Sequence, residues 1–236
     1  MDIAMMRNEG KRVMDEQEKK KEASLKDTAY QYIKEKILCG SLRPGEVINE
    51  KQLQEDLGFS RTPVREALAK LSNEELVDIM PSRCMTVSHI SLSEVKMLYQ
   101  ARSLIEPFIA KLVAMDPDVE KLGDFKTRFQ HVAQSSFADT GEDLDSEFHT
   151  YLASCTKNKY LCRMEENLLS KCRLVRVVSS RSIKERAEQS NEEHLAIINA
   201  LLKQDGTEAA KAVLRHLEKT IEGYQSVLES FNLFDV

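Results

Sequence analysis

Residues 44–71 read PGEVINEKQLQEDLGFSRTPVREALAKL, a pattern that predicts two short helices joined by a tight glycine turn. The first helix is expected to begin after Asn49, a residue type favoured at helix N-caps, and to run to Leu57. Gly58 can adopt the left-handed conformation that ends such a helix. The stretch therefore predicts a helix–turn–helix unit.

The second helix of this unit carries the residues that suggest a function for the unit. Ser60 or Thr62 can cap it, and Pro63 fits its first turn because the missing N–H would have no partner there. Residues spaced i, i+3, i+4 and i+7 form its expected buried stripe: Val64, Ala67, Leu68 and Leu71. Arg61 and Arg65 lie off that stripe near the N-terminal end, where a recognition helix meets DNA. An ordinary helical hairpin with solvated arginines would show the same spacing.

The whole segment resembles the winged helix-turn-helix signature of GntR-family transcription regulators. In that family a Pro-Gly turn, a Leu-x-x-x-Leu-Gly helix and Ser-Arg-Thr-Pro-Val-Arg-Glu-Ala-Leu occur together, as they do here. The resemblance implies DNA contacts at the matching positions: Lys51, Ser60, Arg61, Thr62, Arg65, Ser82 and Arg83. Arginine suits bidentate contact with guanine, whereas Ser, Thr and Lys more often hold phosphates. Lys51 can equally be a solvated helix charge.

The flanking sequence indicates where this DNA-binding domain begins and ends. Residues 1–23 are rich in charge, lack a sustained apolar stripe, and are expected to form a flexible extension. The domain is expected over residues 24–90. Its first helix should bury one face: Leu25, Ala29, Tyr32, Ile33 and Ile37. A two-stranded wing is expected from Leu76–Met80 and Met85–His89. The family usually has glycine where Glu75 and Cys84 stand, so the wing departs from its pattern.

Residues 91–236 change to long helical periods, which predicts an all-α bundle. The helices are expected at Ser93–Met115, Asp118–Ala138, Leu144–Thr156, Lys159–Ser182, Asn191–Gln204 and Thr207–Phe231. The fold class is therefore mainly α, with a winged helix-turn-helix followed by a helical bundle.

Three histidines and one carboxylate in this bundle suggest a metal site. Asp145 and His149 are four residues apart and share one helix face, while His194 and His216 fall on the last two helices. Imidazole and carboxylate ligands suit Zn, Ni, Mn or Fe, and four protein ligands can leave positions open. A lone histidine is more often packed or solvated, and His89 and His131 are assigned to that class.

The spacing of these four residues resembles the metal-binding pattern of the FCD domain in the FadR branch of GntR regulators. The surrounding sequences agree: DLDSEFHTYLASCTKN, NEEHLAIINALLKQDGTEAAKAVLRHL and YQARSLIEPFIAKLVA. The resemblance covers about residues 25–230 and implies a divalent transition metal, most often Zn, with small organic acids as effectors. Arg102 occupies the family's arginine position and can bind an effector carboxylate, or it can pair with Glu106 at i+4. Asn199 is a second candidate for the effector cavity.

Composition and charge limit the classes of protein to which the chain can belong. The 236 residues carry a net charge of −5, which argues weakly against nucleic-acid binding, although Arg61, Arg65 and Lys70 outnumber the acids in residues 60–71. No signal segment or apolar run near 18 residues is present, and the five cysteines form no CxxC pair. A cytoplasmic protein with reduced thiols and no membrane partner is expected.

These observations predict a homodimeric repressor that binds palindromic operator DNA and is controlled by a small carboxylate at a metal site. Two other readings remain. In a metal sensor the metal itself would be the signal. In a metal-dependent hydrolase or lyase the site would activate water, but the chain has no HExxH motif and a DNA-reading domain would be hard to explain.

Overall fold

The computed structural model of the protein describes residues 25–81, 84–132, 141–179 and 184–230. The chain forms two compact units, one up to His89 and the other from Ile90 onward. The extension expected over residues 1–23 lies outside the described residues. Within the described ranges, no helix has both the length and the apolar character needed to cross a lipid bilayer.

The described part of the first unit contains three helices and a small sheet. Helix α1 covers residues 25–38, and it is followed by α2 (Glu50–Leu57), α3 (Arg61–Asn73), β1 (Val77–Ile79) and β2 (Met85–Val87). The strands are antiparallel, with Val77 opposite Val87, and Val47 adds an isolated bridge to Thr86. The wing is therefore a two-stranded sheet, and both strands lie inside the predicted ranges.

Helices α2 and α3 form the expected helix–turn–helix. The Asn49 side chain accepts hydrogen bonds from the backbone N–H groups of Lys51 and Gln52, which caps α2. Gly58 ends α2 with φ 67°, and its N–H donates to carbonyl oxygens of the last turn. Ser60 precedes α3 as its N-cap residue, but its side chain makes no capping hydrogen bond. The predicted stripe of α3 is fully buried: Val64, Ala67, Leu68 and Leu71.

Helix α1 differs from its prediction at Leu25, which is only partly buried, and in the tyrosine that it buries. Tyr30 is buried, and its hydroxyl donates to Glu74, whereas Tyr32 is only half-buried and donates to Asp56. At about 100° per residue, Tyr30 lies about 20° from the buried Ile37, whereas Tyr32 lies about 60° outside the arc from Ala29 to Ile37. The apolar pattern placed the right face inward but chose the wrong tyrosine.

The turn after α3 keeps its special backbone conformation without glycine. Glu75 has φ 55° and its N–H donates to the carbonyl of Ser72. A residue with a Cβ costs about 1 kcal/mol more than glycine in this left-handed region. The glutamate that replaces the family's glycine therefore preserves the turn at a small cost in stability.

The second unit consists of six described helices. They are α4 (Leu92–Met115), α5 (Val119–Val132), α6 (Gly141–Cys155), α7 (Lys159–Ser179), α8 (Lys184–Leu202) and α9 (Gly206–Ser230). Ser91 and Glu94 cap α4 reciprocally in a capping box. Helix α8 begins earlier than predicted because the residues before Asn191 include good helix formers and no glycine or proline. The predicted extension of the second bundle helix to Ala138 lies outside the described residues.

The bundle core forms where the six described helices of the second unit pack against one another. Helix α9 packs mainly against α4 and α8, while α6 packs against α7, α4 and α5. Phe125, Phe129 and Phe148 are fully buried, and the rings of Phe125 and Phe129 meet the Phe148 ring edge to face. This aromatic cluster forms an apolar wall beside the histidines of α6 and α8.

Candidate functional site

Four side chains from three helices meet inside the bundle. Asp145 and His149 project from one face of α6, His194 from α8, and His216 from α9. The ligand atoms of these four residues all lie within 4.8 Å of one another. Each histidine is at most 2% exposed, while the Asp145 side chain remains 16% exposed. The four residues are hereafter called the histidine cluster.

The spacing of the atoms in the histidine cluster suits a metal ion. His149 Nε2 lies 3.3 Å from His194 Nε2, and His194 Nε2 lies 3.2 Å from Asp145 Oδ1. His149 Nε2 and His216 Nε2 each lie 3.8 Å from the same Asp145 oxygen. A tetrahedral ion with bonds of about 2.0–2.2 Å holds its ligand atoms about 3.3–3.6 Å apart. The observed separations of 3.2–3.8 Å are close to that geometry.

A second set of groups fixes which ring nitrogen of each histidine faces the centre. His149 Nδ1 lies 2.7 Å from Glu106 Oε2, and His216 Nδ1 lies 2.9 Å from Glu193 Oε2. Ser190 Oγ lies 3.5 Å from His194 Nδ1. A carboxylate oxygen only accepts hydrogen bonds, so the Nδ1 atoms of His149 and His216 carry the ring hydrogens. Their Nε2 atoms therefore point inward as lone pairs.

This arrangement brings several atoms with lone pairs close together. In the neutral rings the Nε2 atoms of His149 and His216 converge with the Oδ1 atom of Asp145, and His194 Nε2, 3.2 Å from that oxygen, can donate to it in one of its two tautomers. Lone pairs held this close in a buried site are mutually unfavourable unless a cation lies between them. Histidines that bind metals usually donate their other ring N–H to a carboxylate or carbonyl group, as His216 can do to Glu193. The chemistry of the cluster thus fits a divalent metal.

Burial keeps the imidazoles in the uncharged form that metals bind. Burial, and then the neighbouring ring of His194, lowers the pKa of His216 to about 3. Burial also lowers the pKa of His194, whose ring stacks on Phe129 with ring centroids 4.5 Å apart. Both rings are therefore neutral at neutral pH, and no proton has to leave before a metal binds.

Arg102 lies behind the histidine cluster and is part of an internal ion pair. Its Nε donates to Glu106, and its Nη1 lies 3.6 Å from the Sγ of Cys172. The ion pair with Glu106 is the alternative that the i, i+4 spacing had left open. Arg102 is 1% exposed, and its Nη2 has no hydrogen-bond partner among the described residues. One donor group of this guanidinium thus remains available for a ligand.

Glu106, His149 and Glu165 form a second group of side chains that could hold a cation. Burial opposes ionisation of Glu106, yet the charge of Arg102 outweighs it and holds the pKa of Glu106 below its usual range. Burial, and then the charge of Glu106, raises the pKa of Glu165 well above its ordinary value. The guanidinium of Arg102 already neutralises Glu106, and Glu165 retains its proton. These two carboxyl groups therefore offer no uncompensated negative charge that would attract a second cation, and Glu106 instead lies beside His149 of the histidine cluster.

Asn199 does not lie at the histidine cluster, contrary to the expectation from sequence. Its side chain is exposed, and its Oδ1 accepts a hydrogen bond from Lys126 Nζ at 2.8 Å. Five residues along a helix correspond to a rotation about 140° beyond one full turn. Asn199 consequently points away from the direction that His194 takes.

The residues that orient the histidines have no clear signature in the sequence. Glu193 and Ser190 lie on α8 near His194, and Glu106 lies on α4. Glu106 appeared in the sequence only as a partner for Arg102, because its contact with α6 depends on how the helices pack. A buried carboxylate on a helix is a weak signal in sequence, since exposed glutamates share the same spacing.

In the first unit, the described residues expected at DNA lie on α2, on α3 and at the turn between them, and all are at least partly exposed. Lys51, Ser60, Arg61 and Thr62 are exposed, and Arg65 is partly exposed. The side chain of Lys51 is 86% exposed and lies 3.6 Å from Glu55, one turn along α2. Arg61 and Arg65 both contact Glu50. Ser82 and Arg83, expected at the wing tip, lie outside the described residues.

Comparisons with known proteins agree with both units. The family described as "Bacterial regulatory proteins, gntR family" matches residues 25–87, and the FCD domain family matches residues 97–219. The chain is 27% identical over 207 residues to an uncharacterised HTH-type transcriptional regulator, YdhC, of Bacillus subtilis, covering 85% of this chain and 91% of that protein. It is 30% identical over 211 residues to the Uxu operon regulator of Haemophilus influenzae, covering 80% of this chain and 77% of that protein.

Among solved structures, McbR/YncC of E. coli superimposes with a TM-score of 0.73 at 21% identity, covering 86% of this chain and 98% of that one. A likeness at this identity shows the fold. FCD domains are known to bind metal, and the histidine cluster lies within the residues that match this domain. The relatives are transcription regulators, and the family does not consist of enzymes. The chain therefore belongs to the GntR family of bacterial regulatory proteins, as a DNA-binding transcriptional regulator with an FCD domain.

Proposed function

We propose that this regulator is a repressor that binds palindromic operator DNA as a homodimer, and that a small organic acid bound at a metal in the FCD domain releases it. Each unit would have its own function: residues 24–90 would bind DNA, and residues 91–236 would bind metal and effector. The observation that supports the proposal most is the convergence of three imidazole Nε2 atoms and one carboxylate oxygen within 4.8 Å of one another.

Asp145, His149, His194 and His216 would hold the metal. Zn is the metal we propose first, although Ni, Mn and Fe also accept imidazole and carboxylate ligands. When bound, such an ion supplies a Lewis-acidic positive charge with positions that a carboxylate can occupy. The protein's own contribution is to present neutral imidazoles and to fix their orientation through Glu106 and Glu193.

The effector class follows from the charges around the cluster. A carboxylate would be attracted to the metal and to Arg102, whose Nη2 is buried and has no hydrogen-bond partner among the described residues. A buried donor without a partner costs about 1–3 kcal/mol, which a ligand oxygen would recover. We propose Arg102 as an effector contact through this one nitrogen. We do not propose Asn199, because its side chain is exposed and bonded to Lys126.

The proposed DNA surface consists of the residues that the resemblance assigned. Arg61 and Arg65 would contact base edges, and Lys51, Ser60 and Thr62 would hold phosphates. Ser82 and Arg83 remain proposed contacts of the wing. A homodimer would present two recognition helices to two half-sites, as palindromic operators require. Release by the effector requires that it bind the DNA-competent and DNA-incompetent arrangements with different free energies.

The experiment that tests this proposal is a thermal-shift screen of di- and hydroxycarboxylates on metal-loaded full-length protein. We expect at least one acid to raise the melting temperature of the wild type and of His131→Ala, an exposed histidine of α5. The same acid should not stabilise His149→Ala, which lacks one metal ligand. Equal stabilisation of His149→Ala and the wild type would contradict an effector site at the metal.

A further inference from the structure

Glu50, the first residue of α2, contacts both arginines of the proposed DNA surface. Its Oε2 accepts a hydrogen bond from Arg65 Nε at 2.9 Å, and its Oε1 accepts one from Arg65 Nη2 at 3.3 Å. Arg61 Nε lies 3.5 Å from the same Oε2 atom. The Glu50 side chain is 19% exposed, whereas those of Arg61 and Arg65 are 65% and 41% exposed. One sheltered carboxylate thus holds two outward-facing guanidinium groups.

The carboxylate is ionised under ordinary conditions. The hydrogen bond from Arg65, together with the charges of Arg65 and Arg61, lowers the pKa of Glu50. Its negative charge therefore offsets part of the positive charge on the face that would approach DNA. A surface built only for phosphate attraction would gain nothing from an acid at this position, because phosphate binding increases with net positive charge.

The geometry of the Arg65 contact leaves a particular edge of its guanidinium available. Arginine carries five N–H groups in a fixed plane, and Glu50 uses one on Nε and one on Nη2. The edge formed by Nη1 and the second N–H of Nη2 can still donate two parallel hydrogen bonds. Two parallel donors are what guanine O6 and N7 accept in the major groove.

We propose that Glu50 is a specificity-determining residue, which aims Arg65 at a base edge and keeps Arg61 and Arg65 from binding phosphates indiscriminately. The inference rests on the proposed DNA-facing role of the two arginines. Holding the guanidinium in one orientation lowers the entropy lost on binding the correct base. The same carboxylate repels phosphate, which weakens binding to unrelated DNA. Glu50 thereby acts on the ratio of specific to non-specific affinity.

The test measures that ratio in the full-length protein. The wild type first selects its preferred duplex from a random-sequence library, and a scrambled duplex of equal length serves as non-specific DNA. Glu50→Gln removes the charge while nearly preserving the shape of the side chain. Glu66→Gln, on α3, is the matched control, because it removes the same charge from a residue whose ion pair is with Lys26.

We expect Glu50→Gln to lower the ratio of selected to scrambled affinity by at least about fivefold, the lower end of what a bidentate arginine–base contact contributes. Affinity for the scrambled duplex should rise and become more salt-dependent, because the released arginines turn to phosphates. Glu66→Gln should change both affinities in parallel and keep the ratio.

Two outcomes would overturn the inference. One is an unchanged ratio in Glu50→Gln. The other is an equal loss of both affinities with a lower melting temperature, since Glu50 would then serve only to join α2 to α3. The Arg65→Ala variant distinguishes failure of this inference from failure of the proposed function. If Arg65→Ala binds the selected duplex as tightly as the wild type, the assignment of the DNA surface is wrong. If Arg65→Ala binds that duplex more weakly while Glu50→Gln keeps the ratio of affinities, only the role of Glu50 is wrong.

Discussion

Glu193 Oε2 lies 2.9 Å from His216 Nδ1, so the residue next to one candidate metal ligand orients another on a different helix. Glu193 precedes His194 on α8, and its second oxygen lies 3.4 Å from Lys219 Nζ on α9. The carboxylate of Glu193 therefore connects α8 and α9 at the level of the histidine cluster. It makes the imidazole of His216 a stronger electron donor and fixes the direction of its Nε2.

We predict that Glu193→Gln weakens metal binding by about 10- to 100-fold without abolishing it, because an amide can still accept the Nδ1 hydrogen bond but carries no charge. Competition between the full-length protein and a chelator of known affinity measures this change. Glu192→Gln removes the same charge from the exposed neighbour and should leave the metal affinity unchanged. Equal affinities in the two variants would contradict the orienting role of Glu193.

The metal ligands themselves give a stronger prediction. His194→Ala should abolish stoichiometric metal and lower the melting temperature, since the site loses a ligand and the folded state loses the stabilisation that metal binding provides. His131→Ala, an exposed histidine on α5, should do neither. Elemental analysis of protein purified without a histidine tag decides between them. Equal metal content in the two variants would remove the basis for the site.

The buried histidines also predict how stability depends on pH when metal is absent. His216 has its pKa lowered to about 3 in the folded protein, against an ordinary value of 6.5. Between these values the unfolded chain binds a proton that the folded chain does not, so the free energy of unfolding falls as pH falls below about 6.5. The slope for one such group is at most about 1.4 kcal/mol per pH unit.

Urea titrations of the chelator-treated protein between about pH 6.5 and pH 4.5 measure this dependence. Replacing the titrating ring in His216→Gln should make the dependence shallower, whereas His131→Gln should keep the slope of the wild type. The same slope in all three proteins would show that His216 does not contribute in this way.

Part of the site could be predicted from sequence because it depends on spacing within one helix. Asp145 and His149 share a face of α6 through their i, i+4 separation, and Arg102 and Glu106 pair across one turn of α4 for the same reason. The stripe of α3 and the capping of α2 by Asn49 likewise depend on local sequence.

The contacts that could not be predicted join separate helices. Glu106 meets His149, and Glu193 meets His216, only because of how the bundle packs, and neither contact has a signature in sequence. Asn199, in contrast, was expected at the cluster because it follows His194 by little more than one helical turn. Its side chain lies on another side of α8 and is exposed. Glu50 was also missed, because its two arginine partners follow 11 and 15 residues later, across the turn.

For the DNA surface, we predict that Arg65→Ala weakens binding to the selected operator by about 1–3 kcal/mol in each half-site. The folded state should survive, because the side chain of Arg65 is 41% exposed. Fluorescence anisotropy at fixed salt measures the affinity. Lys26→Ala removes the same charge from a partly exposed residue of α1, outside the proposed DNA surface, and should cost far less. Unchanged affinity in both Arg61→Ala and Arg65→Ala would refute the assignment of the recognition surface.

We propose that a carboxylate bound at the metal controls DNA affinity. The decisive measurement is the operator affinity of metal-loaded full-length protein, with and without an acid found by thermal shift. We predict that the acid weakens operator binding of the wild type by about 5- to 150-fold, the span of a coupling of about 1–3 kcal/mol. His149→Ala should bind the operator measurably and show no response to the acid. An equal response in the wild type and His149→Ala, or none in the wild type, would contradict the claim.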